Sequence, residues 1–214
     1  MDDNDDVVFV LQPNFLSSFE CQGHIDRCEA IGFSEIDEKG SALYAKRQHG
    51  RMSSIQPDLA DEIFQKLLPL LPDEIDGMKV SHCTSNIRFY RYTAGQSFGC
   101  HIDESNSDSD VVGGLTKLTV LVYLSGGKKD KCKEKAASAN RHLVGGETIF
   151  YHEKMAKVGG KKKTIRSEAA KVHPQCGTLL VHEHGNRCLT HEASPVVEGT
   201  KYVLRTDVVY VPKR

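Results

Sequence analysis

The stretch Arg88-Phe89-Tyr90-Arg91-Tyr92-Thr93-Ala94-Gly95-Gln96-Ser97-Phe98-Gly99-Cys100-His101-Ile102-Asp103 decides how this 214-residue chain folds. Residues 86 to 92 alternate in polarity and are rich in aromatics, Thr93-Ala94-Gly95-Gln96 is turn-forming, and residues 98 to 103 resume an extended pattern. The reading is strand, turn, strand, and on a strand residues i and i+2 share a face. His101 and Asp103 therefore project together. One more histidine from elsewhere completes a two-histidine, one-carboxylate set of the kind that holds Fe(II).

The tripeptide by itself is weak support. With 10 His and 15 Asp in 214 residues, His-x-Asp arises by chance about 0.7 times. A second copy, His24-Ile25-Asp26, makes the point: it lies between Asn14 and Gly32, where apolar pairs such as Leu16/Phe19 and Ile25/Cys28 recur at spacings of three and four. That period predicts an amphipathic helix, with Asn14 or Ser17 to cap its start and Gly32 its end. Residues i and i+2 of a helix diverge by about 200°, so His24 and Asp26 cannot share a metal.

Outward from this stretch, a strand is expected near Ala42-Leu43-Tyr44-Ala45 and a second helix over residues 57 to 68, where Leu59, Ile63 and Leu67 mark one face and Pro69 ends it. Further strands are expected at 117 to 124, 147 to 151, 177 to 182 and 201 to 211. Many short strands punctuated by glycine predict a mainly β fold with flanking helices (α+β): a double-stranded β-helix, or jelly roll, under an N-terminal helical layer. The chain reads as one domain, its helical part over about residues 1–80 and its core over about 81–214.

Composition sets the bounds. At 39% hydrophobic residues the chain can bury a full core. It has no apolar run near 18 residues, so no membrane span is expected, and the acidic start Met1-Asp2-Asp3-Asn4-Asp5-Asp6 suits a cytoplasmic or nuclear protein. Seven cysteines without a Cys-x-x-Cys pair point to reduced thiols. Net charge is −1, yet residues 126 to 171 carry 13 Lys/Arg against 5 Asp/Glu. The lysine-rich runs read as loop insertions at about 126–143 and 153–172, either solvated or acting as a lid or electrostatic guide for an acidic substrate or nucleic acid.

The C-terminal stretch His191-Glu192-Ala193 through Lys201-Tyr202-Val203-Leu204-Arg205-Thr206-Asp207 supplies a further histidine and two cations on one strand face. Together with residues 88 to 96, His101-x-Asp103, Thr119 to Leu124 and Gly145-Gly146-Glu147-Thr148-x-Phe150, it resembles the iron(II) and 2-oxoglutarate-dependent dioxygenases, in their prolyl 4-hydroxylase-like branch, over about residues 86 to 210. The resemblance implies Fe(II) on His101, Asp103 and His191, with 2-oxoglutarate and O2 as cosubstrates and L-ascorbate as an optional reductant. It assigns Lys201, ten positions after His191, to the far carboxylate of 2-oxoglutarate, and matches Tyr92 and Tyr123 to positions whose hydroxyls help hold that molecule. Arg205 is the runner-up clamp, its other role being an ion pair with Asp207 or a contact at the barrel rim.

The implied reaction is hydroxylation of a second substrate, peptidyl proline or another protein side chain, with release of succinate and CO2. Two other readings stand beside it: a nucleic-acid demethylase or hydroxylase of the same fold, weakened by the absence of a paired-arginine pattern beyond the distal histidine, and a noncatalytic jelly-roll binding module. His82-Cys83 and His182-Glu183-His184 read as buried hydrogen-bonding or surface histidines, and His142, His152 and His173 as exposed. The chain departs from the family in the long gap between Asp103 and His191 and in Ala193, where glycine is common.

Overall fold

The computed structural model describes residues 9–41, 44–127 and 142–213; the run at 126–143 and part of the strand expected at 42–45 lie largely outside them. In chain order the elements are β1 (Phe9–Gln12), α1 (Ser18–Ile31), β2 (Ser34–Glu38), β3 (Arg47–Ile55), α2 (Pro57–Leu67), β4 (Glu74–Ile75), β5 (Met78–Cys83), β6 (Asn86–Tyr92), β7 (Ser97–His101), β8 (Leu115–Tyr123), β9 (Val144–Gly145), β10 (Thr148–Val158), β11 (Lys161–Val172), β12 (Thr178–Glu183), β13 (Thr190–Ala193), β14 (Val196–Glu198) and β15 (Lys201–Pro212).

One antiparallel sheet dominates, in the order β1-β12-β8-β15-β6-β3-β7-β13-β10-β11. It curls on itself, so that Phe150 of β10 meets Phe9 of β1 at 5.2 Å and His182 of β12 at 5.3 Å between ring centroids. This is the jelly roll expected. The period of two along each central strand divides its side chains between two interiors. Leu118, Val120 and Val122 of β8 and Leu204 and Val208 of β15 join Cys21, Ile25, Ile63 and Leu67 in the core beneath the helices. Tyr123 of β8, Leu180 of β12 and Val203 of β15 face the opposite way and pack with Phe150 around a pocket inside the roll.

The helices form for local reasons. Ser17 and Glu20 make a reciprocal capping box, Ser17 Oγ accepting from the Glu20 N–H at 3.2 Å and Glu20 accepting from the Ser17 N–H at 2.7 Å. Cys21, Ile25 and Cys28 form the buried stripe of α1, while Asp26 points outward and accepts from Gln22. Pro57 opens α2, whose buried face is Ala60, Ile63, Phe64 and Leu67. α1 is anchored where Phe15 and Leu16 donate to the Gly177 carbonyl; a Cβ on Gly177, at φ +78°, would meet the Leu16 oxygen at 2.1 Å.

Two expectations change. The strand predicted near residues 42–45 is displaced to β3: Tyr44 is a bend and Ala45 is unassigned, and pairing begins at Arg47. Residues 153–172, read as a loop from their lysines, instead form most of the β10–β11 ribbon, paired from Thr148↔Val172 to Val158↔Lys161 and turned at Gly159 and Gly160, both at positive φ. Lysine is merely unfavourable in strands, and a ribbon with solvent on both faces keeps its charges wet.

Candidate active site

β7 and β13 pair so that His101 and His191 lie directly opposite each other. Asp103 stands two residues beyond His101, just past the end of β7, and its backbone N–H is held by Cys188 Sγ at 3.2 Å. His101, Asp103 and His191 bring one ligand atom each within 4.8 Å of one another. His101 Nε2 is 3.7 Å from Asp103 Oδ1, and His191 Nε2 is 3.9 Å from Oδ2.

The protonation of this trio follows from its surroundings. His101 Nδ1 lies 2.9 Å from the Gly99 carbonyl and His191 Nδ1 lies 2.9 Å from the Leu189 carbonyl. Each carbonyl accepts the Nδ1 proton, which leaves a lone pair on Nε2 toward the aspartate. Burial drives His101 down to about 4, with the neighbouring His191 adding to the shift, and burial lowers His191 as well; both rings are neutral at pH 7. For Asp103 burial acts upward, but the Arg205 guanidinium and the surrounding histidines hold it well below the usual carboxylate range. Two neutral imidazoles and one carboxylate, with oriented lone pairs, suit Fe(II), so the residues present fit the metal.

Several residues hold this set in place. Phe98 stacks on His101 at 3.8 Å and an interplanar angle of 10°. Thr119 Oγ1 lies 2.6 Å from Asp103 Oδ2 and 2.7 Å from His184 Nε2. Arg205 contacts Asp103 Oδ2 at 3.1 Å and Asp207 Oδ1 at 3.3 Å, and Arg88 also pairs with Asp207. The sequence alternative of an Arg205–Asp207 ion pair is thus present, extended to the carboxylate of the metal set.

Lys201 has a different setting. It is 2% exposed, and among the described residues its ammonium forms no salt bridge; Nζ donates to the Gly146 carbonyl at 2.7 Å and lies over the rings of Tyr92 (5.2 Å) and Tyr123 (5.5 Å). Burial pushes it down to about 7, only partly offset by Glu147. Tyr123 shares a 2.7 Å hydrogen bond with Thr148, and burial raises both tyrosines. All these side chains line one pocket with His101, Asp103 and His191. A second groove, lined by Arg47, His49, Arg51, Tyr90 and Glu104, reaches His101 and Asp103 of the trio.

The pocket therefore contains every residue singled out from the sequence for metal and cosubstrate: His101, Asp103, His191, Tyr92, Tyr123, Lys201 and Arg205. Among the lining residues that were not are Thr119, Thr148 and His182. Their signal was register. Thr119 and Tyr123 share a face of β8, and His182 pairs with Thr119 across the β12–β8 ladder, which turns it inward. His184 falls beyond β12 and is buried against Thr116 and Thr119.

Comparisons with known proteins agree with this geometry. The family model described as the 2OG-Fe(II) oxygenase superfamily matches residues 87–206. No curated protein matches the chain in a sequence search. Among solved structures, the viral collagen prolyl hydroxylase of Paramecium bursaria Chlorella virus-1, as its 2OG complex, superposes with a TM-score of 0.59 at 19% identity, covering 97% of this chain and 98% of that one. A Trichoplax adhaerens prolyl hydroxylase in complex with a hypoxia inducible factor oxygen degradation domain peptide gives 0.60 at 18% identity, covering 95% and 84%. A Pseudomonas putida prolyl-4-hydroxylase gives 0.52 at 16%, covering 100% and 97%. At these identities the structures establish a shared fold, and the family model, which spans more than half of the chain, establishes kinship. The chain belongs to the 2OG-Fe(II) oxygenase superfamily and is a 2-oxoglutarate-dependent dioxygenase, a family whose reagents are Fe(II), 2-oxoglutarate and O2.

Proposed function

We propose that this dioxygenase hydroxylates a protein side chain, with peptidyl proline the leading substrate, and releases succinate and CO2. In this reading His101, Asp103 and His191 hold Fe(II), and Lys201 with Tyr92 and Tyr123 receives the far carboxylate of 2-oxoglutarate. Fe(II), when bound, supplies the redox chemistry that activates O2. The chain's own groups do the rest. His101 and His191 keep their protons on Nδ1, where backbone carbonyls fix both rings. Arg205 and Thr119 orient the Asp103 carboxylate, and the apolar side chains of Leu121 and Val203 in the pocket wall keep water out.

The observation that carries the cosubstrate assignment is the contrast between two cations on one strand. Arg205 already balances two carboxylates, whereas Lys201 is buried with a carbonyl and two rings. A charged ammonium so placed is costly unless an anion joins it, and a dicarboxylate reaching in from the metal provides one. Peptidyl proline is suggested by two of the structural relatives, a collagen prolyl hydroxylase and a prolyl hydroxylase in complex with a hypoxia inducible factor peptide, and by the second groove, which reaches His101 and Asp103. The test is succinate formation by Fe(II)-loaded protein with 2-oxoglutarate and O2, first alone and then with proline-containing peptides. Absence of both 2-oxoglutarate binding and succinate would refute the cosubstrate assignment; turnover that proline peptides do not stimulate would refute the substrate.

A further inference from the structure

Four arginines line the groove that reaches His101 and Asp103: Arg47, Arg51, Arg88 and Arg205. Two of them are spent, since Arg205 balances Asp103 and Asp207 and Arg88 pairs with Asp207. The other two stand without a counter-charge. Among the described residues neither Arg47 nor Arg51 forms a salt bridge; the Arg47 guanidinium lies 4.9 Å over the Phe98 ring, and Arg51 Nε donates to Ser53 Oγ at 3.1 Å. Glu38 is directly across the β2–β3 ladder from Arg47, yet the two are not paired.

The strand period explains the placement. Arg47, His49 and Arg51 are alternate residues of β3 and share the face that lines the groove. Four residues of strand separate the two guanidinium-bearing positions by roughly 13 Å. Their distances from the metal trio differ. Arg47 pairs with Phe98 across the β3–β7 ladder, and the Phe98 ring stacks on His101 at 3.8 Å, so Arg47 is the cation at the inner end. Arg51 pairs with Tyr90 of β6, further along the groove. His49, between them, is buried against the Tyr90 ring at 5.0 Å.

We propose that this groove selects acidic peptides, Arg47 holding a side-chain carboxylate close to the residue to be hydroxylated and Arg51 a second one further along. The proposal deepens the reading of the chain as a protein hydroxylase and rests on it. Spacing supplies the register: an extended peptide rises about 3.1–3.3 Å per residue, so the first carboxylate belongs within about two positions of the target and the second about four positions beyond it. A planar guanidinium fork takes a carboxylate through two parallel hydrogen bonds, which makes arginine suited to this task. Phe98 holds the Arg47 fork from one side and leaves its edge for the ligand.

The groove favours a peptide over a nucleic acid. Glu38 and Glu104 also line it, and both are exposed. A phosphate backbone carries a negative charge at every unit and would meet these carboxylates, whereas a peptide places its charges only where the arginines stand.

The experiment measures fluorescence anisotropy of labelled peptides on protein loaded with Ni(II) and 2-oxoglutarate. One peptide has a central proline with glutamates two and six positions to either side; its control has glutamines there. The glutamate peptide should bind at least about tenfold more tightly at low salt, and the difference should shrink as salt is added. Arg47→Gln and Arg51→Gln should each weaken the glutamate peptide about fivefold and the glutamine peptide less than about twofold. Arg47→Glu should bind a peptide with lysine two positions from the proline at least about fivefold more tightly than wild type does, a gain that misfolding cannot produce. Equal binding of the glutamate and glutamine peptides overturns the proposal and leaves the peptide reading standing, whereas binding of neither overturns both. A glutamate preference unchanged in both glutamine variants overturns the assignment to Arg47 and Arg51. A single-stranded oligonucleotide that displaces the labelled glutamate peptide better than the unlabelled peptide does overturns the choice of occupant. A glutamate preference that persists when alanine replaces the central proline upholds the charge selection and removes proline as the target.

Discussion

Replacing Lys201 with methionine should weaken 2-oxoglutarate binding and at the same time stabilise the cosubstrate-free fold. The magnitudes follow from burial. Lys201 falls from an ordinary 10.5 to about 7. That shift corresponds to about 5 kcal/mol opposing folding while the ammonium is charged. The sign is set by proton counts: between pH 7 and 10.5 the unfolded chain carries this proton and the folded chain does not. Stability of the free protein therefore rises with pH through that window, and the full cost is present below about pH 7. Bound 2-oxoglutarate reverses the balance, because its carboxylate favours the charged form. The protonated fraction of free Lys201 falls from about 0.9 at pH 6 to about 0.1 at pH 8, so affinity should drop about tenfold over that range. Calorimetry of Ni(II)-loaded protein at pH 8, in two buffers of different ionisation heat, should register uptake of about 0.9 proton per 2-oxoglutarate bound. Lys201→Met should abolish the uptake, weaken binding by about 10- to 100-fold through loss of a charge-assisted hydrogen bond, and unfold at a higher temperature without cosubstrate. Affinity flat with pH and no proton uptake would refute the reasoning, as would wild-type binding by Lys201→Met.

Other perturbations separate neighbouring roles. His101→Ala should abolish metal binding, whereas His24→Ala, on α1 against Phe89, should leave it intact; a metal titration of both decides. Arg205→Ala strands the Asp103 carboxylate, leaves Asp207 to Arg88 alone, and should cost about 3–5 kcal/mol in urea unfolding, with a smaller loss of 2-oxoglutarate affinity than Lys201→Met. The reverse ranking in calorimetry would make Arg205 the clamp. Gly177→Ala forces a Cβ against the Leu16 carbonyl at a positive φ and should lower stability by at least about 2 kcal/mol; an unchanged unfolding midpoint would show that α1 is not anchored there.

The site was legible in the sequence where side chains obey a simple period. Alternation on the strands around His101 and on β15 brings His101, Tyr92, Lys201 and Arg205 into one interior, and helical spacing disposes of His24 and Asp26. Choosing between Lys201 and Arg205 was harder, because both share a strand face; the structure separates them through Asp103 and Asp207, contacts that no local pattern encodes. His182 was hidden for a related reason. Its neighbour His184 invited the pair to be weighed together, whereas only His182 lies on the β12 ladder opposite Thr119. β3 was misplaced because Arg47-Gln48-His49-Gly50-Arg51 is polar and contains glycine, its pairing being fixed by β2, β6 and β7. The β10–β11 ribbon was read as loop because its lysines obscured the strands on either side of Gly159-Gly160.

The pairing order has a consequence for how the chain is made. β1, near the start, hydrogen-bonds to β12, and β15, the last strand, lies between β6 and β8 and also holds β5. No early portion can close its sheet while the ribosome is still adding residues toward Pro212. Such interleaving imposes high contact order and slow folding, with half-built edges exposed for seconds during synthesis.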